Sequence, residues 1–443
     1  MLQSNTIPDR EPLIRVGIIL PEDKIDLVEI ELMPSIEYQI ISNEQKLNIL
    51  PAKKHKFEVS ENLIIQDDKN KSAIWRIEPK QVASLEPEQG IKIKNVIAGR
   101  GFHWEKIADV YLPGIIEFSL FENNLILTNE LFLEDYIICV VNSEMGAACP
   151  EAFIKSQTIA SRSWMLANVE QKHVMMGMDV CNDDCCQRYH GSGNLTSQFI
   201  SIARQTSGQV LLYHNKICDA RYSKSCGGMM ETFKTIWVGD DKHYLQNIPD
   251  APSGFNHPAL PLSSEENVKK WINSTPDTFC SSHTVSELDL HKFLGKVDKK
   301  GTYFRWQIKY SQNELRELLS QKLDLSISVI LGFEAVKRGG SGRLSKLRIL
   351  FMDHNNQVIK ILIDSEFKIR RALHKAFLLS SCFYIIPGTH INGYPKNFKI
   401  VGAGWGHGVG FCQIGALGMA LKGYTTNEII RHYYPGSDLK KIY

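Results

Sequence analysis

Three cysteines lie close together in the sequence Cys181-Asn-Asp-Asp-Cys185-Cys186, with His173 and His190 on either side. Thiolate sulfur and imidazole nitrogen are preferred zinc ligands, and the C-x₃-C and C-x₄-C spacings suit one side of a zinc site. A second ligand pair of standard spacing is missing from the sequence, so a complete zinc finger is not predicted. Two interpretations stay open: a metal ion completed by a distant residue, or a group of buried thiols.

Glu144 is the candidate for acid–base chemistry. Residues 133–145 (LEDYIICVVNSEM) predict an amphipathic helix that places Ile137, Val141 and Glu144 on one face. At the C-terminal end of a buried helix face, desolvation and the negative end of the helix dipole both disfavour an ionised carboxylate. A carboxylic acid kept protonated suits general-acid catalysis. The alternative is a partly exposed glutamate at a frayed helix end.

Five glycines recur at every second position from Gly402 to Gly410, around His407. Neither the G-x-G-x-x-G pattern nor a P-loop is present, so a nucleotide site is not predicted. One interpretation is a backbone pressed close to a ligand, with His407 presented from it. The other is a strained turn that packs against the core.

Apolar periodicity predicts the elements that would carry these residues. Residues 150–170 predict a second helix with a buried stripe, and Pro150 suits its first turn. Residues 13–128 show short β-branched runs that predict strands, with a hairpin turn at residues 122–124. Residues 208–222 predict another hairpin.

The second half of the sequence mixes both kinds of element. Residues 344–352 and 357–363 predict strands, and residues 313–322 predict a helix. Thr425 with Glu428 forms a capping-box pattern. The fold class is therefore predicted as α+β, with a β-rich N-terminal region at 1–128 and a mixed domain at 129–443 that carries an insertion around 280–330.

Composition excludes several classes of protein. The 443 residues include 51 Lys+Arg and 49 Asp+Glu, for a formal net charge of +2. Nucleic-acid-binding proteins usually present a basic field, so no nucleic-acid partner is predicted. No apolar run reaches the roughly 18 residues that cross a bilayer. The N-terminal residues lack the basic and apolar regions of a signal peptide.

Four ordered blocks resemble the SpoIID/LytB family, named for stage II sporulation protein D and the enhancer of an autolytic amidase. They are residues 133–164 (LEDYIICVVNSEM…PEAFIKSQTIASRSW), 179–191 (DVCNDDCCQRYHG), 206–231 (TSGQVLLYHNKICDARYSKSCGGMME) and 402–436 (GAGWGHGVGFCQIGALGMALKGYTTNEIIRHYYPG). The resemblance implies a SpoIID-like catalytic domain with a mixed β core and short helices. It covers the region from about residue 128 to residue 443.

The resemblance also implies an activity, because characterised family members are lytic transglycosylases that cut peptidoglycan strands free of peptide stems. It assigns Glu144 as the catalytic acid. Six further residues are implied to lie in or near the substrate cleft: Arg162, Gln187, Tyr222, Lys224, His407 and Gln413.

Zinc is the cofactor that the resemblance implies, because some family members hold it near the cleft. The ligands would be Cys181 and Cys186, with His173 as the imidazole. Three positions depart from the family pattern. Cys185 stands where many relatives have histidine, and Cys226 and Cys412 stand where the family has serine.

One carboxyl group is enough for the implied reaction. Hydrolytic glycosidases generally use two carboxylates. In a lytic transglycosylase the nucleophile is the C6 hydroxyl of the muramic acid itself, so Glu144 could first protonate the glycosidic oxygen and then remove the C6-OH proton. The product would be a 1,6-anhydro ring. The alternative function is a non-catalytic, glycan-binding enhancer of a cell-wall amidase.

The cellular location of the protein is predicted from the substrate that the resemblance implies. Peptidoglycan strands as substrate, and a cell-wall amidase as partner, place the protein in the cell envelope or outside the cell. Because no leader is visible, we expect a longer precursor or another export route; a cytoplasmic location is the remaining option.

Overall fold

The computed structural model describes all residues except 5, 43–45, 51, 82, 103, 168, 263 and 295–300, together with the side chains of 46–50. The chain forms two units, each with its own core. Unit 1 comprises Met1–Asp219, Lys292–Lys299 and Asp438–Tyr443, and unit 2 comprises Ala220–His291 and Lys300–Ser437.

Unit 1 begins with twelve strands, as the short β-branched runs predict. They are β1 (Leu13–Ile19), β2 (Leu27–Glu31), β3 (Tyr38–Ser42), β4 (Lys46–Leu50), β5 (Lys54–Ser60), β6 (Leu63–Gln66), β7 (Asn70–Ser72), β8 (Trp75–Pro79), β9 (Ile91–Ala98), β10 (Lys106–Leu112), β11 (Ile115–Phe121) and β12 (Asn124–Phe132). A single 3₁₀ turn, Pro21–Asp23, separates β1 from β2.

These strands form two sheets that share one apolar core. One sheet has the order β10-β9-β2-β5-β6-β7, and the other includes the run β1-β12-β11-β8-β3-β4. Phe57 of the first sheet stacks on Phe118 of the second at a centroid distance of 4.2 Å. Both side chains are buried, as is Trp75 beside them. Alternate residues therefore meet face to face, as expected for packed antiparallel sheets.

The predicted hairpin at residues 122–124 is confirmed. Strands β11 and β12 pair from Phe121–Asn124 to Ile115–Glu130. Glu122 and Asn123 form the turn with φ values of 48° and 62°, the conformation that matches the twist of a two-residue hairpin.

Helices follow the sheets in unit 1. The elements are α1 (Leu133–Glu144), α2 (Glu151–Ala167), β13 (Val180–Cys181), α3 (Ser197–Arg204), β14 (Gln209–Tyr213) and β15 (Lys216–Ile217), with a 3₁₀ turn at Val174–Met176. The predicted helix at 133–145 is confirmed. The helix predicted at 150–170 ends at Ala167 instead. Strand β13 pairs in parallel with β1, which joins the cysteine region to the edge of the sheet.

Unit 2 contains most of the remaining elements. They are β16 (Tyr222–Ser223), α4 (Phe233–Ile236), α5 (Glu265–Ile272), α6 (Glu287–Leu290), β17 (Arg305–Ser311), α7 (Gln312–Leu323), β18 (Val329–Arg338), β19 (Leu344–Met352), β20 (Val358–Ile363), α8 (Glu366–Ala372), β21 (Phe383–Pro387), β22 (His390–Ile391), β23 (Tyr394–Pro395), β24 (Asn397–Ala403), β25 (Phe411–Cys412), α9 (Gln413–Leu421) and α10 (Thr426–Tyr433). The last strand, β26 (Asp438–Lys441), belongs to unit 1, where it pairs with β14.

The core of unit 2 lies between two three-stranded sheets and two helices. The sheets have the orders β17-β24-β21 and β18-β19-β20, and α7 and α8 pack against them. The predicted helix at 313–322 and both predicted strands are confirmed. Ser311 caps α7, and its N-terminal box with Glu314 has the same geometry as the predicted box of Thr425 and Glu428 in α10.

The α+β fold class is confirmed by this mixture of sheets and helices. Within the described residues, no helix combines the length and the apolar character needed to cross a bilayer. The division at residue 128 and the insertion around 280–330 stay predictions; the two units follow a different grouping of the chain.

Candidate active site and metal centre

Glu144 is the last residue of α1 and lies almost completely inside unit 1. The helix stops there because Met145 adopts extended dihedral angles, φ −138° and ψ 140°. Only 7% of Glu144 is exposed. The backbone N–H of Arg188 donates a hydrogen bond to its Oε1 at 3.3 Å. The carboxyl group is therefore held in a buried position by the segment that follows the cysteines.

Two contacts attach that segment to α1. Ser143 Oγ donates to the carbonyl of Cys139 at 2.7 Å and accepts the N–H of His190 at 3.1 Å. Gln187 Oε1 accepts from the hydroxyl of Tyr136 at 3.1 Å. The structure thus brings Gln187 and Glu144 to the same side of α1, although Gln187 is almost fully buried.

The side chain of Arg188 has its own set of partners. Its guanidinium forms an ion pair with Asp184 and lies 4.1 Å from the ring centroid of Trp104. The indole N–H of Trp104 donates to Asp184 Oδ2 at 2.8 Å, which closes the group. These contacts restrict Arg188 and so orient the N–H that reaches Glu144.

Arg162, a residue of α2, contacts the first turn of α1. Its Nε and Nη2 donate to the two carboxylate oxygens of Glu134 at 2.8 and 2.6 Å. Glu134 and Glu144 are ten residues apart on the helix, a separation of about 15 Å. The structure therefore does not bring Arg162 beside Glu144, and its role as a substrate contact stays a prediction.

The predicted metal ligands do come together. His173, Cys181, Cys185 and Cys186 each offer one donor atom, and all four atoms lie within 4.8 Å of one another. The Sγ atoms of Cys181 and Cys185 are 3.0 Å apart, and His173 Nε2 is 3.9 Å from Cys185 Sγ. The group contains the three predicted residues and adds Cys185. Four sulfur and nitrogen donors fit a closed, four-coordinate site for a soft divalent ion.

The pKa values of two thiols in this group shift in opposite directions. Hydrogen bonds with Cys181 and Cys186 lower the pKa of Cys185, and the nearby His173 lowers it further. Hydrogen bonds with Cys185 and Cys186 raise the pKa of Cys181. The lowered pKa favours the thiolate form of Cys185, and the thiolate is the form in which cysteine binds a metal.

Three predicted substrate residues of unit 2 lie in or next to one short parallel ladder. Tyr222 on β16 pairs with Phe411 on β25. The carbonyl of Lys224 accepts the N–H of Ile414 at 3.0 Å. Gln413, the first residue of α9, lies between these contacts. The structure places Tyr222, Lys224 and Gln413 on adjoining backbone segments.

The glycine loop packs against this ladder. Ser225 and Trp405 exchange backbone hydrogen bonds at 3.0 and 2.8 Å. Gly408 has a φ of 73°, and a Cβ atom there would collide with the guanidinium of Arg343. The loop glycines thus allow close packing against the protein's own core, the second of the two interpretations.

His407 is half-buried within the loop. Its ring lies 4.8 Å from the ring of Trp237, and its Nδ1 accepts the N–H of Val409 at 3.0 Å. Burial, and then the positive charge of Arg221, lowers the pKa of His407 well below its ordinary value. The imidazole is therefore neutral near pH 7, with its proton on Nε2.

Several residues of these sites escaped prediction. The N–H of Arg188 has no side-chain signature in the sequence. In the sequence, Glu134 is recognisable only as an acidic residue at a helix N-terminus. Its charge is opposite to that of Arg162, which was the one signal for their ion pair. Arg343 is fully buried and donates to the carbonyls of Cys226 and Gly406. It also donates to the nearby Ser341 Oγ. Its guanidinium thus satisfies backbone carbonyls from distant segments, a role that only the fold reveals.

Unit 1 is thus an α+β unit in which a buried glutamate ends α1, and the segment that contacts this glutamate directly follows a cysteine–histidine group. Residues 122–213, which include both features, match the family model described as Stage II sporulation protein. The resemblance to the SpoIID/LytB family is thereby confirmed. Residues 231–410 match a second model, described as a domain of unknown function (DUF8618).

Curated relatives agree with this resemblance at modest identity. An uncharacterized protein of Brachyspira hyodysenteriae is 23% identical over 364 residues, 81% of this chain and 82% of the relative. The amidase enhancer of Bacillus subtilis is 23% identical over 309 residues, 68% of this chain and 39% of the relative. Stage II sporulation protein D of the same organism is 21% identical over 323 residues, 70% of this chain and 74% of the relative.

Proposed function

We propose that this protein is a peptidoglycan lytic transglycosylase that cuts peptide-free glycan strands to 1,6-anhydro-muramyl products. The observation that carries the proposal is the carboxyl group of Glu144, 7% exposed and held by the N–H of Arg188 within the segment that matches the family model. A position of this kind restricts the carboxyl group to few conformations. Such a restricted position suits a carboxyl group that must donate a proton and then take one back at the same place in the substrate.

Glu144 would act in two steps. As an acid it protonates the glycosidic oxygen that leaves, and as a carboxylate it removes the proton of the C6 hydroxyl. That hydroxyl attacks C1 of the same sugar and closes the anhydro ring. Because the attack is intramolecular, the proximity of the hydroxyl to C1 lowers the activation free energy, by on the order of several kcal/mol for well-oriented groups.

The other predicted residues receive different roles in this proposal. Gln187 and Arg162 act as positioning residues, since their side chains bond Tyr136 and Glu134 inside unit 1. Tyr222, Lys224 and Gln413 are the proposed sugar contacts of unit 2. His407, a neutral imidazole that is hydrogen-bonded to the backbone of Tyr222, is proposed as a positioning residue for Tyr222.

Zinc would have a structural role in this site. His173, Cys181, Cys185 and Cys186 supply four donors, so no coordination position is left for substrate. The same loop continues directly from Cys186 to Arg188, whose N–H reaches Glu144. A metal ion at these residues would therefore hold the loop that orients the acid.

The second candidate is a non-catalytic enhancer of a cell-wall amidase. It is favoured by the relative named amidase enhancer, which is 23% identical over 309 residues. In that case the same residues would bind glycan without cutting it. Both candidates place the protein in the cell envelope, with peptidoglycan as its ligand.

A turnover assay separates the two. Peptide-free glycan strands are incubated with the protein, and anhydro-muramyl ends are counted by mass spectrometry. We expect Glu144→Gln to lower turnover by about 10²–10⁴-fold, the usual contribution of a general acid–base group. The matched control is Glu151→Gln, which removes an exposed carboxylate that pairs with Lys155 on α2. Glycan binding without anhydro ends in the unsubstituted protein would favour the enhancer, and equal turnover in both variants would exclude Glu144 as the acid.

A further inference from the structure

A second group of potential metal ligands lies in the core of unit 2. Cys226, Asp250, Cys280 and Cys412 each present one donor atom, and all four atoms lie within 4.8 Å of one another. All four residues are buried. They come from four separate segments of the chain, so no spacing in the sequence connects them.

The separations of the donor atoms match a tetrahedral ion. With Zn–S bonds of about 2.3 Å, two sulfur ligands at a tetrahedral angle are about 3.8 Å apart. The Sγ atoms of Cys226 and Cys280 are 3.7 Å apart. For one sulfur and one carboxylate oxygen, at about 2.0 Å from zinc, the separation is about 3.5 Å. Cys226 Sγ and Asp250 Oδ2 are 3.5 Å apart.

Neighbouring groups orient the carboxylate as outer partners of a metal ligand do. Asp250 Oδ1 accepts the hydroxyl of Tyr433 at 2.7 Å, and Oδ2 accepts the N–H of Cys280 at 3.1 Å. Gly415 leaves the room that the carboxylate occupies, because a Cβ atom there would collide with Oδ2. Oδ2 therefore faces the cysteines and Oδ1 faces away from them.

Backbone groups also prepare Cys412 to bind as a thiolate. Its Sγ accepts the N–H of Cys226 at 3.2 Å and the N–H of Gly415 at 3.4 Å. Gly415 belongs to the first turn of α9, which begins directly after Cys412. Two N–H donors and a helix N-terminus both favour negative charge on this sulfur.

Two guanidinium groups, the fully buried Arg343 and the half-buried Arg305, offset the charge of the group. Arg343 donates to the carbonyl of Cys226 at 3.1 and 3.2 Å, and Arg305 donates to the carbonyl of Gly227 at 3.0 Å. Three thiolates and one carboxylate around a divalent ion carry two net negative charges. The two guanidinium groups reduce the cost of burying that charge.

We propose that Cys226, Asp250, Cys280 and Cys412 bind one zinc ion, separate from the group at His173. The ion is a structural one, because four protein ligands complete a tetrahedral shell. Each cysteine loses its thiol proton to solvent as the ion binds. The site joins the segment after β16, the residues around 250 and 280, and the start of α9.

Zinc content per chain tests the proposal on protein purified without chelator. The background variant is Cys181→Ser with Cys185→Ser, which removes ligands of the group in unit 1. We expect this background to retain one zinc per chain by elemental analysis. Adding Cys280→Ser should remove it. Adding Cys382→Ser should not, since Cys382 is a buried thiol of unit 2 whose Sγ contacts the carbonyl of Ser341 instead.

X-ray absorption on the background variant gives a reading that does not depend on the third substitution folding. We expect three sulfur neighbours at about 2.3 Å from zinc and one oxygen at about 2.0–2.2 Å. Three outcomes would overturn the proposal: a background that carries no zinc, zinc retained after Cys280→Ser, or a disulfide between two of the three cysteines by mass spectrometry.

Discussion

Arg162 and Glu134 form a two-pronged ion pair inside unit 1, with Nε–Oε1 and Nη2–Oε2 distances of 2.8 and 2.6 Å. The two side chains are 0% and 4% exposed. Glu134 also accepts the N–H of Gly208 at 3.1 Å and the hydroxyl of Tyr443 at 2.6 Å. One carboxylate thus joins α1, α2, the start of β14 and the last residue of the chain.

Arg162→Ala should destabilise unit 1 strongly. The substitution leaves the carboxylate of Glu134 buried without its counterion, which costs about 3–5 kcal/mol. Urea unfolding at neutral pH measures the loss.

The control for this variant is Arg204→Ala. Arg204 pairs with Asp135, the next residue of α1, but the two side chains are 41% and 19% exposed. An exposed pair contributes at most about 1 kcal/mol. Equal losses in the two variants would mean that burial of the Arg162 pair adds nothing.

The same carboxylate should make stability depend on pH. Burial raises the pKa of Glu134, but Arg162, Tyr443 and the N–H of Gly208 outweigh it and hold that pKa below its ordinary value. The folded chain therefore binds this proton less tightly than the unfolded chain does. The stabilisation is present above about pH 4.3, the ordinary value, and is lost as pH falls through the folded-state pKa.

Glu134→Gln isolates this effect. The difference in unfolding free energy between the unsubstituted protein and the variant should be largest near neutral pH and should shrink below about pH 4. Chemical denaturation at a series of pH values gives the two curves. A difference that stays constant across the series would contradict the assignment.

Gly408→Ala tests the packing of the glycine loop. The new Cβ atom would collide with the buried guanidinium of Arg343, and the residue has a φ of +73°. Gly423 also has a positive φ, +86°, but a Cβ atom there meets nothing within 4 Å. Both alanines carry the backbone strain of about 1–3 kcal/mol, and only Gly408→Ala adds an overpacking cost of about 1–3 kcal/mol.

Thermal unfolding of the two glycine variants gives the comparison. We expect Gly408→Ala to melt at a clearly lower temperature than Gly423→Ala. Similar melting temperatures would show that Arg343 moves aside at little cost and that the loop is not tightly packed.

Cys185→Ser should remove the zinc proposed at the cysteine–histidine group. Loss of an outer partner of a metal ligand already lowers affinity by about 10–100-fold, and loss of a ligand should cost at least as much. Elemental analysis should show one fewer zinc per chain. Anhydro-muramyl production should fall as well, because the loop that carries Arg188 loses its anchor.

A thiol outside the group provides the control for Cys185→Ser. Cys139 lies on α1, outside the described metal-ligand groups, and Cys139→Ser should keep the full zinc content. Identical zinc content in both variants would remove Cys185 from the ligand set.

Local patterns were sufficient to predict much of the secondary structure. The hairpin at residues 122–124, the helix that ends with Glu144 and the capping box of Thr425 depend on neighbours within a few residues, so their signals are contiguous in the chain. The cluster of Cys181 and Cys186 was visible for the same reason, because its thiols are five residues apart.

Long-range relationships could be resolved only by the fold. The contact of Arg188 with Glu144 involves a backbone N–H, which every residue except proline carries. The pairing of Arg162 with Glu134 required knowing which helix faces which, and it gave Arg162 an internal partner. The ligands proposed at Cys226, Asp250, Cys280 and Cys412 are separated by tens of residues or more. Amino-acid order thus specified the local elements and the chemistry available to them, whereas packing decided which distant groups share a site, because distances between segments depend on the whole core.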